Sequence, residues 1–336
     1  MKMLNGNSLK AVIGIIAFAA VSLVAPMRSA AQMPLTPQVL DKDVTVSEFN
    51  ALNVSDDFEV TVARGAYSVH LTVDKELAPY VEVYVRSRTL FINFDEKAVP
   101  RDLRKLYRGR GGLTATFHVV VYTPELQSVT LSDYAILTGT EEFVASEFEL
   151  VAAGKTQVKN LSITAASAKV SLKKNAFANL VLRTDRALEV STDNNATLDL
   201  SYDAESLTLL SGGSSIVNAD GPCVSMNLTT AGSSQVKISS ETEALDIVAE
   251  GNSQLTLTGK AYDMKIQGSR NATVDALAMP LETVDANMAN SSSVLVDASK
   301  SIHANLVGGS ALYFTGNPAI EIEKIIKSTL APYGTK

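Results

Sequence analysis

One spacing governs the chain from Leu188 to Phe314. Two apolar residues two positions apart are followed ten residues later by a second such pair, and this unit occurs in seven copies. The copies are Leu188/Val190 with Leu198/Leu200, Leu207/Leu209 with Val217/Ala219, Met226/Leu228 with Val236/Ile238, Leu245/Ile247 with Leu255/Leu257, Met264/Ile266 with Val274/Ala276, Val284/Ala286 with Val294/Val296, and Ile302/Ala304 with Leu312/Phe314. Their first residues advance by 19, 19, 19, 19, 20 and 18. Apolar residues two apart share one face of a strand, whereas a helix needs spacings of three and four.

Between the pairs lies a corner with columns of its own. Six residues into the copies stand Asn194, Gly213, Gly232, Gly251, Arg270, Asn290 and Gly308. Glycine and asparagine are the residues that accept a left-handed backbone, so this column predicts a tight turn. Two columns later come Ala196, Ser215, Ser234, Ser253, Ala272, Ser292 and Ser310. A unit of about 19 residues cannot bury its own apolar face, but stacked units share one core. The pattern predicts an all-β fold, a right-handed parallel β-helix, because strand-to-strand crossovers are overwhelmingly right-handed. A sandwich would show Asn-Gly or Asp-Gly at most connections. The only Asp-Gly is Asp220-Gly221, in one return.

Composition narrows the function classes. Hydrophobic residues make up 46% of the 336, aromatics only 6%, and there is no Trp, which suits a core of Val, Leu, Ile and Ala. The net charge is -7, and it becomes -10 without the first 31 residues, which hold Lys2, Lys10 and Arg28 and no acid. Sequence-independent nucleic-acid binding needs a basic footprint, so nucleic acid is not an expected partner.

Residues 1–31 read as a cleaved export signal: a basic start, an apolar run from Ala11 to Ala25, and Ser29 and Ala31 placed for cleavage before Gln32. That run of fifteen residues, broken only by Gly14 and Ser22, is short for a membrane span, and no later stretch predicts a transmembrane helix. Residues 32–43, with Pro34 and Pro37, read as a linker. A single β-helix domain is expected over 44–318, with wider irregular coils in 44–160 and regular coils in 161–318. Residues 319–336 are expected to form a terminal cap or tail, since an open β-helix end is a reactive edge. The chain is therefore expected to be exported, to the periplasm, the outer membrane or the cell surface.

Few residues suggest chemistry. Residues 97–112 carry Lys97, Arg101, Arg104, Lys105, Arg108 and Arg110 against one acid, Asp102. Such a run is either a solvated insertion loop or a contact for an anionic glycan, lipid head group or phosphate. Arg270, the one departure from the Gly/Asn corner column, marks either a relaxed corner or a ligand contact, with Asp193 and Glu250 on or near the same corner. The candidate ligand-binding residues are therefore Arg101, Arg104, Lys105, Arg108, Arg110 and Arg270. His70, His118 and His303 lie in or beside strands without a partner motif, so surface positions are expected and no metal site or cofactor is. Cys223 is the single cysteine, which excludes an internal disulfide, and reads as a structural thiol. No residue is assigned a catalytic role.

Several segments carry a resemblance: Phe49-Asn-Ala-Leu-Asn-Val, Phe58-Glu-Val-Thr-Val-Ala-Arg-Gly, Thr89-Leu-Phe-Ile-Asn-Phe, and Val119-Val-Val-Tyr-Thr-Pro-Glu-Leu-Gln-Ser-Val followed by repeated Gly-Ser corners. Over about 44–318 the chain resembles the auto-transporter adhesin head GIN domain family, found mostly in envelope proteins of Bacteroidota. The resemblance implies an exported β-helical protein and supplies no catalytic residues. The expected function is a binding or structural module of the cell envelope, offering repetitive faces to a glycan or an envelope protein. The alternative is a polysaccharide lyase or glycoside hydrolase on the same scaffold, which needs paired carboxylates on one face.

Overall fold

The structure, a computed structural model, describes residues 38–107 and 114–334, all within one compact unit. The expected signal segment, residues 32–37 of the expected linker, and Arg108 and Arg110 lie outside the described residues.

The repeat folds as its spacing requires. Strands one coil apart pair parallel and in register, so each apolar column of the sequence becomes a column of the core. Val190, Leu209, Leu228, Ile247, Ile266, Ala286, Ala304 and Ile322 stack in succession. Leu198, Val217, Val236, Leu255, Val274, Val294, Leu312 and Leu330 form a second stack. The result is a β-solenoid of about 11 turns with about 19 residues per turn. Where one copy runs to 20 residues, the pairing with the preceding coil steps between Thr256/Asp275 and Thr258/Ala278 to take up the extra residue, and Met279 turns into the core there.

All seven residues of the corner column are left-handed: Asn194, Gly213, Gly232, Gly251, Arg270, Asn290 and Gly308 have φ between 52° and 75°. At three of them, Gly213, Gly232 and Gly251, the stack itself also demands glycine. A Cβ on Gly232 would lie 2.5 Å from the carbonyl oxygen of Gly213, and one on Gly251 would lie 2.7 Å from that of Gly232. The serine column two residues on points inward and is fully buried. Burial of a hydroxyl requires a partner. Ser215 bonds Gly212 O at 2.6 Å, Ser234 bonds Ser211 O at 3.4 Å, Ser292 bonds Gly268 O at 3.0 Å and Ser310 bonds Met288 O at 3.1 Å. Thr192, Ser211 and Ser215 close a buried hydroxyl triangle with edges of 3.0 to 3.2 Å.

The head departs from the parallel rule. Phe117–Thr123 pairs parallel with Glu59–Arg64 on one side and antiparallel with Ser68–Asp74 on the other. Val39–Val44 adds antiparallel to Ser68–Asp74, so residues 39–43, expected in a linker, belong to a strand. Val81–Arg86 and Thr89–Phe94 form a hairpin whose turn is Ser87-Arg88, both left-handed (φ 51° and 61°). That turn carries no Asn-Gly or Asp-Gly, so sequence inspection finds no hairpin there. Aromatic packing holds the head together: Phe58 and Phe94 each meet Phe117 at about 5 Å, tilted, as aromatic rings prefer. At the other end, residues 319–332 add one more parallel coil instead of folding across the stack.

Candidate functional site

Two kinds of surface collect polar side chains: a cleft in the head, and the outer columns of the coils.

The head cleft forms where the seven-residue helix Arg101–Tyr107 leaves the hairpin and lies against the first coil. It encloses about 800 Å³ and is lined by Asp56, Asp57, Glu59, Phe94, Glu96, Arg104, Tyr107, Phe117, Asp133 and Tyr134, among others. The strand Ala51–Val54 ends in a left-handed turn at Asp56, and Ser128–Asp133 ends in another at Asp133. These two turns bring carboxylates distant in sequence into one cleft. Asp56 is fixed by bonds from Ser55 Oγ at 2.7 Å and Phe94 N at 2.9 Å. Burial, reinforced by Asp56 and Asp133, pushes the Asp57 carboxyl above its ordinary range. Burial and the nearby Asp74 carboxylate push the Tyr107 phenol up to about 12. Glu59 faces His118 at 3.1 Å.

The candidate cations are divided by the fold. Arg104 enters the cleft, and its buried Nε has no partner among the described residues. Arg101 and Lys105 are exposed on the same helix, with Lys105 3.5 Å from Asp102. Arg270 lies elsewhere, at a corner of the regular coils, ion-paired with Glu250 of the preceding coil. Asp193 accepts the Asn194 amide at its own corner, at 2.7 Å. The five carboxylates of the cleft escaped sequence reading because the head has no repeat to align them. Only the folded turns make neighbours of Asp57 and Asp133.

The outer columns follow directly from the repeat. Alternation that sends every second residue inward sends its neighbours outward in register. On one face Glu149, Lys169, Glu189, Thr208, Asn227, Asp246, Lys265, Asp285 and His303 stand one above another. Opposite charges meet within this column at Lys169 and Glu189, 3.6 Å apart, and His303 Nδ1 faces Asp285 at 3.4 Å. On another face an open groove of about 430 Å³ runs past Asn179, Asp199, Asn218, Lys237 and Thr256, with Asn218 Nδ2 bonded to Asp199 at 2.9 Å. A third groove of about 510 Å³ is lined by Gln127, Ser146, Glu147, Glu149, Lys169 and Glu189.

The remaining reactive types are occupied structurally. Cys223 is buried beside Thr242 Oγ1 at 3.7 Å, and burial pushes its thiol above the ordinary value. Each histidine faces a carboxylate on a neighbouring strand: His70 with Asp43 at 2.9 Å, and His118 and His303 as above.

Stacked parallel coils with polar outer ladders define a β-solenoid protein. Residues 48–221 and 180–318 match the family described as "Putative auto-transporter adhesin, head GIN domain", and the chain belongs to that family. No curated protein matches it. Among solved structures it is similar to a putative adhesin from Parabacteroides distasonis, at 17% identity over 88% of this chain and 98% of that one, with a TM-score of 0.36. A putative lipid binding protein from the same species matches at 14% identity over 88% and 97%, with a TM-score of 0.36. A putative adhesin from Bacteroides fragilis matches at 13% over 88% and 97%, with a TM-score of 0.34. Among the described residues no helix is long and apolar enough to cross a membrane.

Proposed function

We propose that this protein is an exported binding module of the cell envelope that holds a glycan or an envelope protein against its coil faces. The observation that carries this reading is the register of the outer columns. Polar side chains such as Asn179, Asp199, Asn218 and Lys237 recur at every coil along an open groove. A ligand that is itself repetitive would meet the same group at each step, so many weak contacts would add along the face. The family description and the export signal expected in residues 1–31 support an envelope location.

The head cleft supports a second reading, the glycan-cleaving enzyme, because carboxylates gather there beside Arg104 and one of them, Asp57, holds its proton to higher pH than usual.

The test uses the purified protein with a panel of neutral, amino and acidic polysaccharides, scoring retention and new chain ends in the same tubes. Retention without new ends, weakened by Asn218→Ala with Lys237→Ala, is the expected result. New chain ends that disappear in Asp57→Asn would overturn the binding reading and establish the enzyme. No retention on any glycan would turn the search to protein partners.

A further inference from the structure

The last described coil leaves its core column showing. Ala319–Ile326 pairs parallel with Ser293–Val307, and no strand pairs with its outer edge among the described residues. Its inward side chains continue a buried column: Ile320, Ile322 and Ile325 stand on Ile302, Ala304 and Leu306, which are fully buried. One coil further on the same column is open, with Ile320, Ile322 and Ile325 exposed by 42%, 54% and 37%. An unprotected apolar edge strand is a template for pairing with another chain.

The sequence of this strand identifies what it pairs with. A break in register between Ala304 and Asn305 leaves Glu323 without a partner, so Ile322 and Glu323 together occupy one position of the ladder. About that bulge the strand is symmetric. Ile320 and Ile325 lie at equal distance on the inward face, and Glu321 and Lys324 lie at equal distance on the outward face. An identical strand laid antiparallel with its bulge opposite this one would place Ile320 against Ile325 twice, Glu321 against Lys324 twice, and at the bulge itself Ile322 beside Glu323 twice. Directly opposed residues of an antiparallel pair share a face, and opposite charges there are favourable. The edge is complementary to itself, as a two-fold interface requires.

We propose that the tail coil binds a second copy of this chain through antiparallel pairing of Ala319–Ile326 about a two-fold axis at the bulge. The dimer covers the exposed isoleucines and leaves both heads and all outer columns free, doubling the valency of any weakly binding face.

Sedimentation velocity of the purified protein over a concentration series tests this. The expected result is a monomer–dimer equilibrium. Glu321→Lys or Lys324→Glu alone sets like charges opposite each other twice and weakens the dimer roughly tenfold or more, and the double swap restores it. Ile322→Asp abolishes it. Because all three residues are exposed, the variants keep the parent circular dichroism. A monomer throughout the series, or an oligomer indifferent to the charge swaps, overturns the proposal.

Discussion

The amide of Asn271 donates forward to the carbonyl of Asn290 at 3.1 Å, whereas the equivalent amide of Asn252 donates backward to Gly232 at 2.7 Å. The direction of corner bonding thus reverses at Arg270. Before it, Ser214 and Ser233 also donate backward, to Asn194 and Gly213; after it, Ser291 donates forward to Gly308. The backbone changes with it. Asn271, Ser291 and Gly309 are left-handed in addition to the residue before each, which makes a paired left-handed corner. The three glycine corners just before it, Gly213, Gly232 and Gly251, leave no room for a Cβ, and position 270 carries one.

The two corner types should therefore respond differently to substitution. Gly251→Ala puts a Cβ 2.7 Å from a carbonyl oxygen in a left-handed backbone and is expected to cost roughly 2 kcal/mol or more. Arg270→Gly relieves about 1 kcal/mol of left-handed strain and loses an exposed ion pair worth at most about 1 kcal/mol, leaving stability nearly unchanged. Denaturant unfolding of both variants checks this; equal losses would show that the corners are not distinct.

The buried hydroxyl triangle gives a second expectation. Thr192→Val keeps the shape but removes a group that bonds both Ser211 and Ser215. Those two still bond each other, so the loss should be about 1 kcal/mol. Ser215→Val also removes the bond to Gly212 O and adds volume in a filled corner, so it should cost more. Thermal unfolding of the pair ranks them.

Asp57 predicts a pH dependence. Its folded pKa lies above 3.8, so between the two values the folded state binds the extra proton and stability from this group falls as pH rises. Asp57→Asn should therefore raise stability at neutral pH and lose that advantage as pH falls below 3.8. Unfolding curves of parent and variant from acid to neutral pH should converge at the acid end.

Cys223 should resist alkylation at neutral pH while the protein is folded, since its thiol is buried and held protonated, and react at the ordinary rate in denaturant. Mass spectrometry after timed exposure to iodoacetamide measures both rates. Fast labelling of the folded chain would mean the coil opens there.

The coil stack was legible in the sequence because a solenoid is nearly one-dimensional. Each unit packs on its neighbours, so a period such as Leu207, Met226, Leu245 and Met264 states the contacts directly. Left-handed corners were legible for the same reason, since only Gly and Asn suit most of that column. What the tertiary structure alone decided lies where the period fails. Ser87-Arg88 makes a hairpin without its usual residues, and Asp57 meets Asp133 across a cleft because unrelated turns converge. Arg270 reads as an anomaly in one dimension and becomes, in three, the point where hydrogen bonding reverses. Local periodicity specifies which neighbours stack; carboxylates brought together by non-repeating turns depend on distances that no spacing in the sequence encodes.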